Sequence, residues 1–262
     1  MSSLRINELK FNYSNRVVFK NISFSLRKGK TLSIIGESGS GKTTLLRILN
    51  GELEYEGEVS IDGLLVNKDN FDELKYKLAV VYDYNNFLNE VVKDELRYSL
   101  EHMNIDPKDI TERIEELNLF FSIKKIFNKP ISILSTNDKV LIKILSYAIY
   151  CPMYLAIDDL LSYLDEKTKL LLLNYLNYKN ITLINVTSDM EDTIYTDYTL
   201  CLYRGIIAID GKTIDVLKEE KLIKRLGFSL PFYLDLSIQL KLYNLIKKTY
   251  LNKEGLIKEL WK

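Results

Sequence analysis

Eight residues, Gly36-Glu37-Ser38-Gly39-Ser40-Gly41-Lys42-Thr43, follow the pattern G-x-x-x-x-G-K-[ST]. Each residue type has a chemical use at that spacing. Glycines let backbone N–H groups turn inward around phosphate oxygens. Lys42 brings a positive charge to the outer phosphates, and Thr43 offers a hydroxyl to Mg²⁺. From Thr43 and Thr44 the run TTLLRIL has helical spacing, so a helix N-terminus faces the anion. A chance Gly/Ser-rich loop is the bland alternative. The short apolar run TLSII before it and the helical run after it argue against that. Holding Mg²⁺ also calls for an acidic group. MYLAIDD supplies one, an apolar strand ending in Asp158 and Asp159. Two solvated acids at a strand end are common, but beside a phosphate loop Asp158 reads as the metal-associated carboxylate.

Positioning such residues takes a scaffold, and the hydrophobic pattern outlines one. Residues 4–26 alternate apolar and polar, which predicts antiparallel strands. Lys28-Gly29-Lys30 makes a turn. TLSII (31–35), KLAVVY (77–82), MYLAI (153–157) and ITLINV (181–186) are short apolar runs of the kind found in buried strands. YEGEVSIDGLLV (55–66) reads as strand, Asp-Gly turn, strand. Helices are predicted near 91–101, 108–119, 137–150 and 166–178, and a hairpin over 198–211. From about 213 the chain reads as helical, interrupted by Gly227 and Pro231. Buried strands alternating with helices imply a parallel sheet covered on both faces.

Composition excludes other classes. The 262 residues suit one large domain, or a domain with a small appendage. The 36 basic residues balance the 36 acidic ones, so no positive field marks a nucleic-acid partner. Cys151 and Cys201 lie outside any CxxC motif; one disulfide is possible, but reduced thiols are the expectation. MSSLRINELKF has no apolar core of signal-peptide length, and no stretch approaches 18 uninterrupted apolar residues. Neither a leader nor a membrane span is expected.

With these motifs in place the sequence resembles the ATPase subunits of ABC transporters, and more narrowly the energy-coupling-factor type that imports vitamins and metal ions. The resemblance covers nearly the whole chain. It implies an α/β P-loop NTPase fold: a mixed core sheet with helices, an antiparallel β subdomain, a helical subdomain near 88–150, and a small C-terminal helical domain. The division expected is 1–216 for ATP binding and 217–262 for dimerisation. The tail, LGFSLPFYLDLSIQLK followed by LNKEGLIKELWK, carries the narrower likeness. The resemblance implies ATP and Mg²⁺ as ligands, with Tyr13 stacking on adenine; a strand-surface tyrosine is the alternative. SYLD (Ser162 to Asp165) resembles the family's D-loop at the dimer interface.

Four positions depart from the family, each where the γ-phosphate is handled. Asp83 in VVYDYNN stands where the family has a glutamine; an Asp oxygen could still ligate Mg²⁺ but adds negative charge. Asp159 replaces the catalytic glutamate and is one methylene shorter. Ser188 in NVTSD replaces the switch histidine and reaches less far; the single histidine, His102, falls in the helical insert and is expected on the surface. LSTND stands for the signature LSGGQ. Ser135 keeps the hydroxyl that would meet a partner's ATP, Thr136 and Asn137 replace glycines, and Asp138 adds a charge that suits the helix dipole and repels phosphate. The resemblance therefore implies a heterodimer with a second ABC ATPase subunit. This chain chiefly binds ATP there, at the cytoplasmic face of the membrane, with a transmembrane coupling protein and a substrate-capture membrane protein. A regulatory subunit with negligible hydrolysis is the alternative. A soluble ABC protein acting on ribosomes or DNA is disfavoured by the single cassette and the absence of a basic surplus. A small-molecule P-loop kinase leaves SYLD and the tail unexplained.

Overall fold

The computed structural model describes residues 3–261. Two sheets form its centre. The first is antiparallel: β1 (Ser3–Tyr13) pairs with β2 (Arg16–Arg27) and with β4 (Glu56–Ile61), which pairs with β5 (Leu64–Leu65), in the order β2-β1-β4-β5. Alternation in the sequence matches its buried face, where Leu4, Ile6, Leu9, Phe19, Ile22 and Leu26 point into one core. The second sheet contains β3 (Leu32–Gly36), β6 (Leu78–Val81), β7 (Tyr154–Asp158), β8 (Thr182–Thr187), β9 (Tyr198–Tyr203) and β10 (Ile206–Lys212), in the order β10-β9-β3-β8-β7-β6. Its strands run parallel except β10, the second arm of the predicted hairpin. Strands β3, β6 and β8 are buried along their whole length, as uninterrupted apolar runs require when both faces are covered.

Helices cover this sheet. α1 (Lys42–Leu49) and α2 (Phe71–Lys77) precede the helical insert, which holds α3 (Val92–His102), α4 (Pro107–Phe121) and α5 (Thr136–Ala148). α6 (Glu166–Tyr178) follows β7, over the range read from the sequence. α2 is absent from the sequence reading. It has seven residues, a single buried one (Leu74) and no side-chain cap, so it leaves no periodic signal. His102 lies exposed near the end of α3, stacked on Tyr98.

The tail folds as α7 (Thr213–Val216), α8 (Glu220–Arg225), α9 (Phe232–Leu242) and α10 (Lys253–Leu260). Gly227 takes φ +86° just after α8, and Pro231 is the N-cap of α9, which accounts for the two interruptions. Residues 217–234 do not stand apart from the core. Leu217, Ile223, Leu226, Leu230 and Leu234 share one apolar cluster with Ile35, Met190 and Cys201. Both cysteines carry free thiols.

Candidate nucleotide site

Three segments meet at the carboxyl ends of adjacent parallel strands: residues 36–43 from the end of β3, Asp158 at the end of β7 with Asp159 after it, and Ser188 after β8. That edge is where open α/β sheets hold ligands, because the loops there diverge and the helix N-termini converge. A cleft of about 250 Å³ opens between them, lined by Tyr13, Ser38, Gly39, Gly41, Lys42, Thr43, Thr44, Asp159 and Ser188 among others.

The loop's glycines are required by geometry at two positions. Gly41 takes φ +104°, and a side-chain carbon there would lie 2.7 Å from Val18 and 2.8 Å from Phe19. Gly36 faces Ser40 Oγ so closely that no side chain fits. Lys42 is buried to 7% exposure, and its Nζ donates to Gly36 O (2.5 Å) and Glu37 O (3.3 Å), curling back over the loop. Thr43 Oγ1 donates to Asp158 Oδ2 at 2.6 Å. An oxygen from the first turn of α1 and one from the end of β7 are thus brought together beside the loop. Burial pushes the Asp158 carboxyl up, and the negative charge of Asp159 adds to this, while Thr43 and Lys42 pull the other way. A cation at that point relieves the burial cost. Among the described residues no cluster of three or more carboxylates, imidazoles or thiols forms a metal cage. The Thr43 hydroxyl and the Asp158 carboxylate fit Mg²⁺ arriving with phosphate oxygens, since that ion usually keeps several waters and takes one or two protein oxygens.

Asp159 and Ser188, predicted to be a weakened catalytic pair, are joined to each other. Ser188 N donates to Asp159 Oδ1 (2.7 Å), and Ser188 Oγ lies 3.1 Å from both carboxylate oxygens. Asp159 itself sits at φ +52°, its N–H held by Val186 O at 2.7 Å. The carboxylate is turned onto the serine loop. Tyr13, 40% exposed, lines the cleft mouth with its ring edge-on to Phe11 at 4.8 Å. Asp83 lies just past the end of β6, and its Oδ1 accepts Asn85 N in a local turn; neither it nor Asp158 lines the cleft itself, but Asp158 reaches the lining through Thr43.

LSTND opens α5. Ser135 is the N-cap, its Oγ accepting Asp138 N at 3.1 Å and donating to Asp138 Oδ2 at 2.8 Å. Its hydroxyl is consumed within its own helix start. Asn137 does something the sequence did not announce. Its Oδ1 accepts Asp165 N (2.9 Å), tying α5 to the start of α6 and to the SYLD turn. Arg16 was also missed. It reaches from the start of β2, and its guanidinium donates to Gly39 O at 2.9 Å, adding a second cation to the cleft lining that holds Lys42. One arginine near a turn carries no signal by itself.

The loop after β8 is braced from below. Lys169 on α6 donates to the fully buried Asp192 at 2.6 Å, four residues past Ser188. Burial pushes the Asp192 carboxyl up, opposed by Lys169. Lys169→Met is expected to cost about 3–5 kcal/mol, the usual penalty for stranding a buried charge. At roughly 2–4 °C per kcal/mol for a chain of this size, calorimetry reads a fall of about 6–20 °C. In the variant the folded-state pKa of Asp192 rises further above its unfolded value. A group shifted that way adds stability below the unfolded pKa and loses it as pH rises, so the deficit shrinks between pH 8 and pH 4. A deficit independent of pH counts against the stranded carboxylate.

Sheet order, phosphate loop and the Thr43–Asp158 contact define a P-loop nucleotide-binding protein. The family described as ABC transporter matches residues 19–162, and the chain belongs to it. Its relatives include the energy-coupling factor transporter ATP-binding protein EcfA1 of Mesomycoplasma hyopneumoniae (strain 7448), 29% identical, with 99% of this chain and 97% of that protein covered. The EcfA1 protein of Streptococcus agalactiae serotype Ia is also 29% identical, covering 98% and 96%. Among solved structures, cbiO1 from Clostridium perfringens, described as part of the transporter complex cbiONQ, has a TM-score of 0.75 at 23% identity. The match spans 87% of this chain and 95% of that one. The fold is that of an ABC ATPase, and the likeness to energy-coupling-factor subunits runs the length of the chain.

Proposed function

We propose that this chain is the ATP-binding subunit of an energy-coupling-factor importer. In this reading it holds Mg-ATP at an interface with a second ABC ATPase subunit that supplies an intact signature. The pair docks on a transmembrane coupling protein, beside a membrane protein that captures a vitamin or a metal ion. The observation that carries this reading is the contrast within one cleft. The binding half is intact, with Lys42 curled over the loop and Thr43 joined to Asp158. The hydrolytic half is turned on itself, with Asp159 held by Ser188. Mg²⁺, when bound, would supply charge neutralisation for the phosphates, and Thr43 Oγ1 and Asp158 are the side chains that would hold it. Lys42 and Arg16 add positive charge, and Tyr13 offers its ring to the adenine. Asp159 lacks the reach to orient a water, so hydrolysis falls mainly to the partner's phosphate loop, against Ser135 of this chain.

No helix among the described residues is long and apolar enough to cross a membrane; in this reading the chain sits on the cytoplasmic face through its membrane partners. The tail exposes Leu242, Tyr243, Leu245 and Trp261, apolar surface suited to pairing of the two subunits. A second reading draws on the same Asp159–Ser188 contact. It makes the chain a nucleotide-responsive regulatory subunit with negligible turnover of its own. Purification from solubilised membranes tests the assembly. The expected result is co-elution with a second, sequence-distinct ABC ATPase and a polytopic membrane protein. Recovery only as a lone monomer overturns it.

A further inference from the structure

The tail touches the nucleotide site at two separate loops. Glu191, three residues after Ser188, accepts the backbone N–H of Phe232, the first residue of α9. A carboxylate there also meets the positive end of the helix dipole. On the other side, the carboxylate of Glu37 in the phosphate loop lies against Gly227; a side-chain carbon on Gly227 would sit 2.6 Å from Glu37 Oε1. Between these contacts the apolar cluster continues the connection. Leu226, Leu230 and Leu234 pack with Ile35, the residue before the phosphate loop, and with Met190, two after Ser188. Glu191 N in turn donates to Asp189 Oδ1 (2.9 Å), and Asp189 N donates to Thr187 Oγ1 (3.0 Å). A short hydrogen-bonded path therefore runs from the start of α9 to both residues flanking Ser188.

We infer that residues 227–232 form a strap that sets the Ser188 loop against the phosphate loop, with Glu191 as its positioning residue. Repacking of α9, such as the pairing of two tails, is then felt at the γ-phosphate end of the site. The inference deepens the proposed ATP site and rests on it. Glu191 is not among the residues that line the cleft. It acts by fixing the loop, so its loss is felt by a ligand that reaches Ser188 and not by one that stops at the phosphate loop.

The test uses the full chain, titrated calorimetrically with Mg-ATP and Mg-ADP, and backbone hydrogen exchange resolved over residues 187–195. Glu191→Ala is expected to weaken ATP about three- to fivefold, leave ADP unchanged, and speed exchange in that loop alone. Glu191→Gln keeps an acceptor for Phe232 N and is expected to recover most of the ATP affinity. The strap is refuted if Glu191→Ala leaves loop exchange and ATP binding as in the parent. It is equally refuted if ATP and ADP weaken together with protection lost throughout the chain, which marks a merely structural residue. Failure of the parent to bind ATP at all sinks the proposed site instead, and the loop exchange still reads the strap.

Discussion

Asp159→Glu combined with Ser188→His is expected to raise single-turnover ATP hydrolysis at this chain's own phosphate loop by about 10²-fold or more, measured with a partner that supplies an intact signature. The reason lies in where the carboxylate now points. Both oxygens of Asp159 face Ser188 Oγ at 3.1 Å, and one also takes the Ser188 N–H at 2.7 Å. A glutamate adds one methylene and carries the carboxylate past that contact toward the cleft. A histidine removes the hydroxyl that holds it and brings a side chain that can donate toward the γ-phosphate. The two residues touch, so their effects are not additive. Glutamate alone leaves the serine hydroxyl within reach; histidine alone leaves a carboxylate too short to orient water. Each single change is expected to give less than about tenfold. A double variant no faster than the parent counts against the Asp159–Ser188 contact as the cause of slow hydrolysis at this loop, because the signature facing it is intact.

Much of this site was legible because its parts are local. The phosphate loop is eight consecutive residues, and its flanking strand and helix are short, strongly patterned runs. Asp158 follows an apolar strand that declares itself. The departures at Asp159, Ser188 and LSTND were located through the resemblance to the ABC family, whose motifs give each a fixed place next to a buried strand or a helix start. What the pattern hid is pairing between distant polar residues. Nothing in the order of residues says that Arg16 reaches Gly39, that Asn137 binds the start of α6, or that Lys169 neutralises Asp192. Polar side chains of these kinds are mostly solvated, so a sequence reading leaves them at the surface. The tail shows the same limit. Its helices and their interruptions at Gly227 and Pro231 were readable, but its packing on Ile35 and Met190 was not, since an apolar helix face does not name what covers it. LSTND shows it in miniature. The Leu-Ser opening and the spacing to Asp158 marked the place, yet only the structure reveals that Ser135 spends its hydroxyl on Asp138.

Lys42→Ala is expected to lower Mg-ATP affinity by about 10²-fold, equivalent to about 2.7 kcal/mol. Lys42 is 7% exposed, and its ammonium bonds to the carbonyls of Gly36 and Glu37. In that half-enclosed loop a charge-assisted contact is worth roughly 1.5–3 kcal/mol, more than an exposed ion pair provides. Truncation also removes the ammonium from Gly36 O and leaves Glu37 O with only the Ser40 N–H at 3.0 Å, so the loop loses part of its bracing as well as its charge. Lys42→Arg is not expected to restore binding, because a planar fork does not fit a pocket that holds a compact ammonium. Isothermal titration reads the affinity. Transport by the assembled importer decides between the two functional readings. If ATP at this chain's loop helps close the subunit pair, the Lys42→Ala assembly loses transport and partner ATPase activity together. If the chain only reports nucleotide, partner turnover continues at the parental rate while its response to nucleotide level disappears. Transport unchanged in every respect leaves no energising role for this loop, however well it binds.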